Sequence, residues 1–328
     1  SHGRIEGPGA ATSKCWVEPS RPEDCTVDSM GLRVTARQAD TLFWLTPVAL
    51  TAAGAFSPAP MVWYGALADL AAGLCLGHFV LAATWEGLVP RLASPPHGRL
   101  QQAKSAPPKY MAELVGSTVC MYVVACLAAW PLSQHRRGVP TAFCPTVSEA
   151  VGGLPWPHAA YVLKIAATTF LADAHTFWKH YLLHRPEVYP FHKYHHQFHN
   201  PSTFAGFAIH PVEAVITFCP IILMCFRAAG LYFPMHMPFL AAFAALNLYL
   251  HCGYAVPLLE RWLPVLYINT SVWHNRHHEL SVAHFGEMLT VWDFYMGTHS
   301  GSWSRAKVQA QATRVAHGNT GLDGWKAG

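Results

Sequence analysis

The chain has 328 residues, 52% of them hydrophobic and only 12% charged, against about 25% charged in a typical soluble domain, so its composition points to a membrane protein. A formal net charge of +4 gives no basic stripe of the kind a nucleic-acid partner requires. The nine cysteines contain no CxxC pair, which argues against a structural zinc module of the usual kind. Cys75, Cys120, Cys126, Cys219 and Cys225 sit inside apolar runs and read as small buried hydrophobes. Only Cys15 and Cys25, in polar text, could form a disulfide.

Residues 1–40 mix Gly, Pro, Ser and both signs of charge and read as a polar N-terminal arm; Ser1 in place of Met fits a processed or truncated chain. The run "FWLTPVALTAAGAF" contains Pro47 and reads as a short span or a re-entrant segment. "MVWYGALADLAAGLCLGHFVLAATW", from 61 to 85, exceeds the roughly 20 residues a bilayer needs. Further spans are expected at 111–132, about 158–180, about 207–229 and 231–252. Beyond 255 no stretch can cross, and 301–328 reads as a polar tail. The predicted fold is all-α: a polytopic membrane protein with about four to six transmembrane helices, embedded over 41–300.

Within the spans, Asp69 and His78 are nine residues apart, on opposite faces of a helix at 100° per residue. They do not make one site; Asp69 reads as a helix–helix hydrogen-bonding group and His78 as packing.

Histidine marks the second half of the chain. His180 and His184 fall in "HYLLH", His192, His195 and His196 in "HKYHH", and His274, His277 and His278 in "HNRHH". Residues i, i+3 and i+4 share a helix face, so each group aims two or three imidazoles one way. Counting crossings puts all three groups, with His251, on one membrane face, as a histidine-rich cap. Arg91, Arg99, Lys104 and Lys109, with the basic residues after 255, share that face, whereas the opposite loop offers Arg136 and Arg137. The positive-inside rule turns the histidine face to the cytoplasm or its organellar equivalent.

Nine imidazoles are too many for one tetrahedral ion and suit two metals, although ligand type alone does not select among Fe, Zn, Cu and Ni. Soluble di-iron bundles rely on Glu-x-x-His motifs. Here Glu213, Glu260 and Glu279 follow no paired pattern.

The segments "HYLLH", "HKYHHQFHNPSTFAGFAIHPVE", "LHCGY", "HNRHH" and "HFGEMLTVWDFYMGTH" resemble, in order and spacing, the fatty acid hydroxylase and sterol desaturase superfamily of membrane-bound, non-haem di-iron oxygenases. The resemblance covers about 160–300 and implies two iron ions, with zinc able to replace them in purified protein. It implies O2-dependent hydroxylation or desaturation of a lipid, of monooxygenase type. Electrons would come from an external donor protein, such as a small b-type cytochrome or a ferredoxin. It matches His180, His184, His192, His195, His196, His251, His274, His277 and His278 to metal ligands, and no catalytic residue is assigned beyond them.

Asn247 stands where some hydroxylases of the superfamily carry a further histidine, and reads as a weak ligand or a ligand's support. His210, in "HPVE", reads as a helix-start hydrogen-bonding residue rather than a ligand. His284 stands where relatives often have Asn before "FG"; Asp293 follows Trp292 in the family's "WD" pair, and both read as structural or as supports of ligands. Asp173, seven residues before His180 on one helical face, is a candidate to orient a ligating histidine.

"HPVE" and "HCGY" favour a sterol or sphingoid-base substrate over a plain fatty acyl chain. The family's usual home is the endoplasmic reticulum, with a mitochondrial or plastid membrane as the alternative. The competing expectation is an inactive family member serving as a structural subunit of a larger membrane complex.

Overall fold

The computed structural model describes residues 33–93, 99–101, 107–224 and 230–299. Cys15, Cys25, most of the expected N-terminal arm and the expected tail at 301–328 lie outside the described residues.

Eleven α-helices and short 3-10 turns make up the described residues, with no named strand among them. The first helix, α1 (Ala36–Ala53), starts inside the stretch expected to be a polar arm. The cause is local: Thr35 accepts from the Gln38 backbone N–H, and the Gln38 side chain accepts from that of Thr35, a capping box. Pro47 is accommodated within this helix. A tight turn then leads into α2 (Pro60–Leu92), and Gly54 is required there. A Cβ on it would stand 2.1 Å from the Trp63 ring.

α2 has 33 residues, about 50 Å at 1.5 Å per residue, more than a hydrocarbon core demands. α3 (Tyr110–Arg136) lies against it and supplies much of the core, including Cys120, Val123, Ala125, Cys126 and Ala129. A short α4 (Val147–Ala150) precedes α5 (Pro157–Leu183), and α6 (Tyr189–His196) follows. α7 (Pro211–Leu223) and α8 (Phe233–His251) follow, and α9 (Pro257–Trp262), α10 (Ser271–Leu280) and α11 (Val291–Met296) close the described chain.

Among the described residues, four helical segments are long and apolar enough to cross a membrane: Ala36–Phe56, α2, α3 and α8. Of the expected span at 207–229, 203–207 is a 3-10 turn, the described α-helix covers the 13 residues Pro211–Leu223, and 225–229 lie outside the described residues. α5 carries Lys164, Asp173 and Lys179 and is not among the four. Asp173 and Lys179 are buried, however, while Leu163, Phe170, Leu171, Trp178 and Leu182 stay exposed along its length. A helix between lipid and a polar core has this asymmetry.

The crossings alternate as the counting of spans requires. At one end, Val34 N–H donates to Glu187 O, Arg99 donates to Pro201 O and Cys252 O, and Glu113 accepts from Ser202. At the other, Arg136 pairs with Asp69 at 2.7 Å, Leu231 bridges to Phe143, and Lys164 donates to Ala150 O and Gly230 O. The pairing of Asp69 is thus an ion pair between α2 and α3. His78 packs edge-on against Phe207, ring centroids 5.4 Å apart. The histidine groups all lie at the first end.

Candidate metal centre

His180 lies in the last turn of α5 and His184 caps it. α6 is only eight residues long, yet it buries His192, His195 and His196 together. His251 ends α8, and α10, capped by Thr270, buries His274, His277 and His278. These nine side chains form two groups: His180, His184, His192, His196 and His277 in one, His195, His251, His274 and His278 in the other. Within each group the candidate ligand atoms lie within 4.8 Å of one another, and all nine residues are buried. The groups adjoin, with the rings of His196 and His278 centred 4.9 Å apart.

Five of the nine imidazoles are anchored through Nδ1, while Nδ1 of His274 and of His278 is buried without a hydrogen-bond partner. His180 donates to Phe285 O at 2.8 Å, His277 to Ala283 O at 2.8 Å, His251 to Asn247 O at 2.9 Å and His195 to Ala208 O at 3.4 Å. His192 Nδ1 instead faces Glu213, 3.0 Å from each carboxylate oxygen. A ring that donates from Nδ1 keeps only a lone pair on Nε2.

Those Nε2 atoms point inward at each other. His196 Nε2 stands 3.2 Å from that of His184 and 3.1 Å from those of His192 and His277. His251 Nε2 lies 3.2 Å from His195 Nε2 and 2.9 Å from His274 Nε2, and His278 Nε2 lies 3.2 Å from His274 Nε2. His180 Nε2 is buried without a hydrogen-bond partner. His195 and His251 both donate from Nδ1, so their Nε2 lone pairs face each other at 3.2 Å and repel unless a cation lies between them; the donor set fits metal ions.

Burial, reinforced by neighbouring positive groups, holds the imidazoles of His184, His192, His196, His274 and His278 well below the ordinary histidine value. Burial does the same to His195 and lowers His277 to about 4. The rings are therefore neutral near pH 7, the form that binds metal.

The remaining candidate residues sort by contact. His210 caps α7: its Nδ1 accepts from Val212 N–H and its Nε2 donates to Ala39 O, so neither nitrogen is free to ligate. Asp173 does not orient a histidine directly. It accepts from the backbone N–H groups of Met288 and Leu289 and from Trp292 Nε1, fixing the loop whose Phe285 carbonyl holds His180. Asn247 reaches His251 through its backbone carbonyl, and its Oδ1 is buried without a partner. His284 packs against Trp273 at φ 63°, a left-handed backbone in which Asn and His are enriched. Asp293 accepts from Phe285 N–H, Gly286 N–H and Thr298 Oγ1.

Sequence reasoning gave Glu213 no role and passed over Lys179 and Glu287. Lys179 Nζ lies 3.3 Å from Glu213 and 2.7 Å from Glu287, beside the first group. A lysine and a glutamate inside otherwise apolar helices were the available signal.

A cavity of about 60 Å³ opens from His180, His192, His195, His251 and His274. It runs between α5, α7 and α8 to Phe218, Ile221, Phe243 and Leu246, so one end is imidazole and the other apolar.

Residues 165–298, which carry all nine histidines, match the fatty acid hydroxylase family. Over this segment the chain is similar to the fatty acid hydroxylase and sterol desaturase superfamily. Among similar proteins is human lathosterol oxidase, 27% identical over 53% of this chain and 60% of that protein. The rat lathosterol oxidase is 30% identical over 44% of this chain and 48% of its own length. A Delta(7)-sterol 5(6)-desaturase of Gibberella zeae is 27% identical over 44% of this chain and 43% of its own. The chain thus spans about half the length of the curated relatives it matches. No solved structure matches it.

Proposed function

We propose that this protein is an O2-dependent lipid oxidoreductase, of monooxygenase type, that holds two iron ions, one in each histidine group. The observation that carries this reading is the pair of adjoining imidazole groups at the head of an apolar cavity. Bound iron supplies activation of O2 against an unactivated C–H bond. Hydroxylation consumes one O2, two electrons and two protons, adds one oxygen to the lipid and releases one water. Desaturation uses the same electrons and protons, removes two hydrogens and releases two waters. The electrons come from an external donor protein, a small b-type cytochrome or a ferredoxin.

The chain's own residues provide the setting. Phe285 O, Ala283 O, Asn247 O, Ala208 O and Glu213 aim the rings, and burial keeps bulk water from them. Phe218, Ile221, Phe243 and Leu246 offer a lipid an apolar berth. The sterol enzymes among its relatives favour a sterol-like substrate, with a sphingoid base next. The expected setting is an endoplasmic reticulum membrane.

The test is iron content together with turnover. Iron-replete protein should hold two metals per chain and, with a reductant chain and O2, oxidise a sterol or sphingoid base in a mass-spectrometric assay. His195→Ala should abolish turnover while the protein still inserts. Fewer than one metal per chain overturns the reading. Two metals without O2-dependent oxidation of any lipid class would instead favour a structural subunit.

A further inference from the structure

We infer that Lys179 is a positioning residue for the metal of the first histidine group, acting through Glu213 and Glu287; this rests on the reading that each group holds a metal. Three separate parts of the chain meet at its ammonium: its own helix α5, Glu213 of α7 at 3.3 Å, and Glu287 of the loop after α10 at 2.7 Å. The side chains of Lys179 and Glu213 are only 4% and 1% exposed, so water cannot substitute for the contact.

Each of those parts also fixes an imidazole of the first group. Glu213 holds His192. The loop holds His180 through Phe285 O and His277 through Ala283 O. His180 is itself the residue after Lys179. Three of the five rings in the first group therefore take their Nδ1 acceptor from elements that Lys179 ties together. In the second group, His195 and His251 take theirs from Ala208 O and Asn247 O, neither of which Lys179 touches.

Stability alone does not account for the arrangement. A buried ion pair is often no better for stability than well-packed apolar side chains of similar size. Removing one partner leaves a buried charge uncompensated, and here the uncompensated groups would be the carboxylates that face His192 and anchor the loop. The expected result of losing Lys179 is selective disorder of the first group.

The experiment loads full-length protein with iron(II) and follows retention of metal during a challenge with EDTA, by elemental analysis. Wild type should retain two irons per chain. Lys179→Met should retain one, the affinity of the other falling roughly ten- to hundredfold, the usual effect of losing a ligand's support. Lys179→Arg should restore the second iron. Adding Lys179→Met to Glu213→Gln should weaken binding little beyond Glu213→Gln alone. Should Lys179→Met fail to insert, Glu287→Gln, whose site is partly exposed, serves instead and should lower retention at one iron only.

Wild-type retention by Lys179→Met, or by Glu287→Gln where that variant serves, overturns the inference. So does equal loss of both irons, or independent, multiplying effects of Lys179→Met and Glu213→Gln. A wild-type chain that binds no metal is a different result, because it defeats the metal reading itself.

Discussion

Asp173, on α5, accepts a hydrogen bond from the indole nitrogen of Trp292 at 2.7 Å, across 119 residues of sequence. The same carboxylate takes the backbone N–H groups of Met288 and Leu289, at 3.2 and 3.1 Å. Asp173→Ala therefore leaves three donors without their acceptor, and should lower stability by about 3 kcal/mol. Thermal unfolding of detergent-solubilised protein reads this directly. Asp173→Asn keeps one acceptor oxygen and should lose less. An unchanged midpoint for Asp173→Ala would show that the loop is fixed by other contacts.

This pairing also marks where the sequence was legible and where it was not. The histidine boxes follow from i, i+3 and i+4 spacing, a local property, and the order of crossings follows from apolar run lengths. His210 as a helix-start residue was readable from the proline after it. Asp173 shares a helical face with His180, which suggested a direct contact. Its real partners lie over a hundred residues away, beyond any local period. The Lys179 pairings with Glu213 and Glu287 span 34 and 108 residues and were missed for the same reason. The start of α1 was misplaced because a capping box at Thr35 outweighed the polar composition around it.

Gly206 gives a prediction for the second histidine group. A Cβ there would stand 2.6 Å from Asn247 Oδ1, 3.3 Å from Asn247 O and 3.4 Å from His251 Nδ1. Gly206→Ala should displace Asn247 and with it the carbonyl that His251 donates to, lowering metal affinity at that group by about tenfold. Asn247→Ala removes the nearest clashing atom and should recover part of the loss in the double variant. Retention of metal against a chelator measures both. Full retention by Gly206→Ala would mean that Asn247 and His251 tolerate the shift.

Stability of the metal-free protein should depend on pH through Glu260. This carboxyl accepts from Tyr249 Oη and from Val272 N–H, and burial raises it from 4.5 to about 7. Between those values the folded chain binds the proton more tightly than the unfolded chain. The contribution is therefore full below about 4.5, falls as pH rises to about 7, and is constant above. The loss amounts to roughly 3 kcal/mol. The buried histidines, held below their ordinary value, give the opposite slope over this range. Glu260 is therefore read as a difference: in denaturant unfolding at a series of pH values, the stability of wild type relative to Glu260→Gln should fall as pH rises from about 4.5 to about 7. A slope unchanged in Glu260→Gln would assign the dependence to another group.

The topology can be tested independently of metal. Ser202 is a poor reporter, being fully buried against Glu113. Arg185, Arg261 and Arg137 are exposed and serve better. Arg185 follows the first histidine pair, Arg261 follows the return of α8, and Arg137 caps α3 at the far end. On a cysteine-free background, single cysteines at 185 and 261 should react with an impermeant thiol reagent from the same side of sealed vesicles, and a cysteine at 137 from the opposite side. A charged residue at the bilayer centre costs about 2.5–3.5 kcal/mol on insertion scales, so the charged turn around Arg185 belongs outside the core. If 185 and 261 labelled from opposite sides, α7 and α8 would not form a hairpin. His251 and the α10 histidines could then not meet those of α5 and α6, and neither metal group would exist.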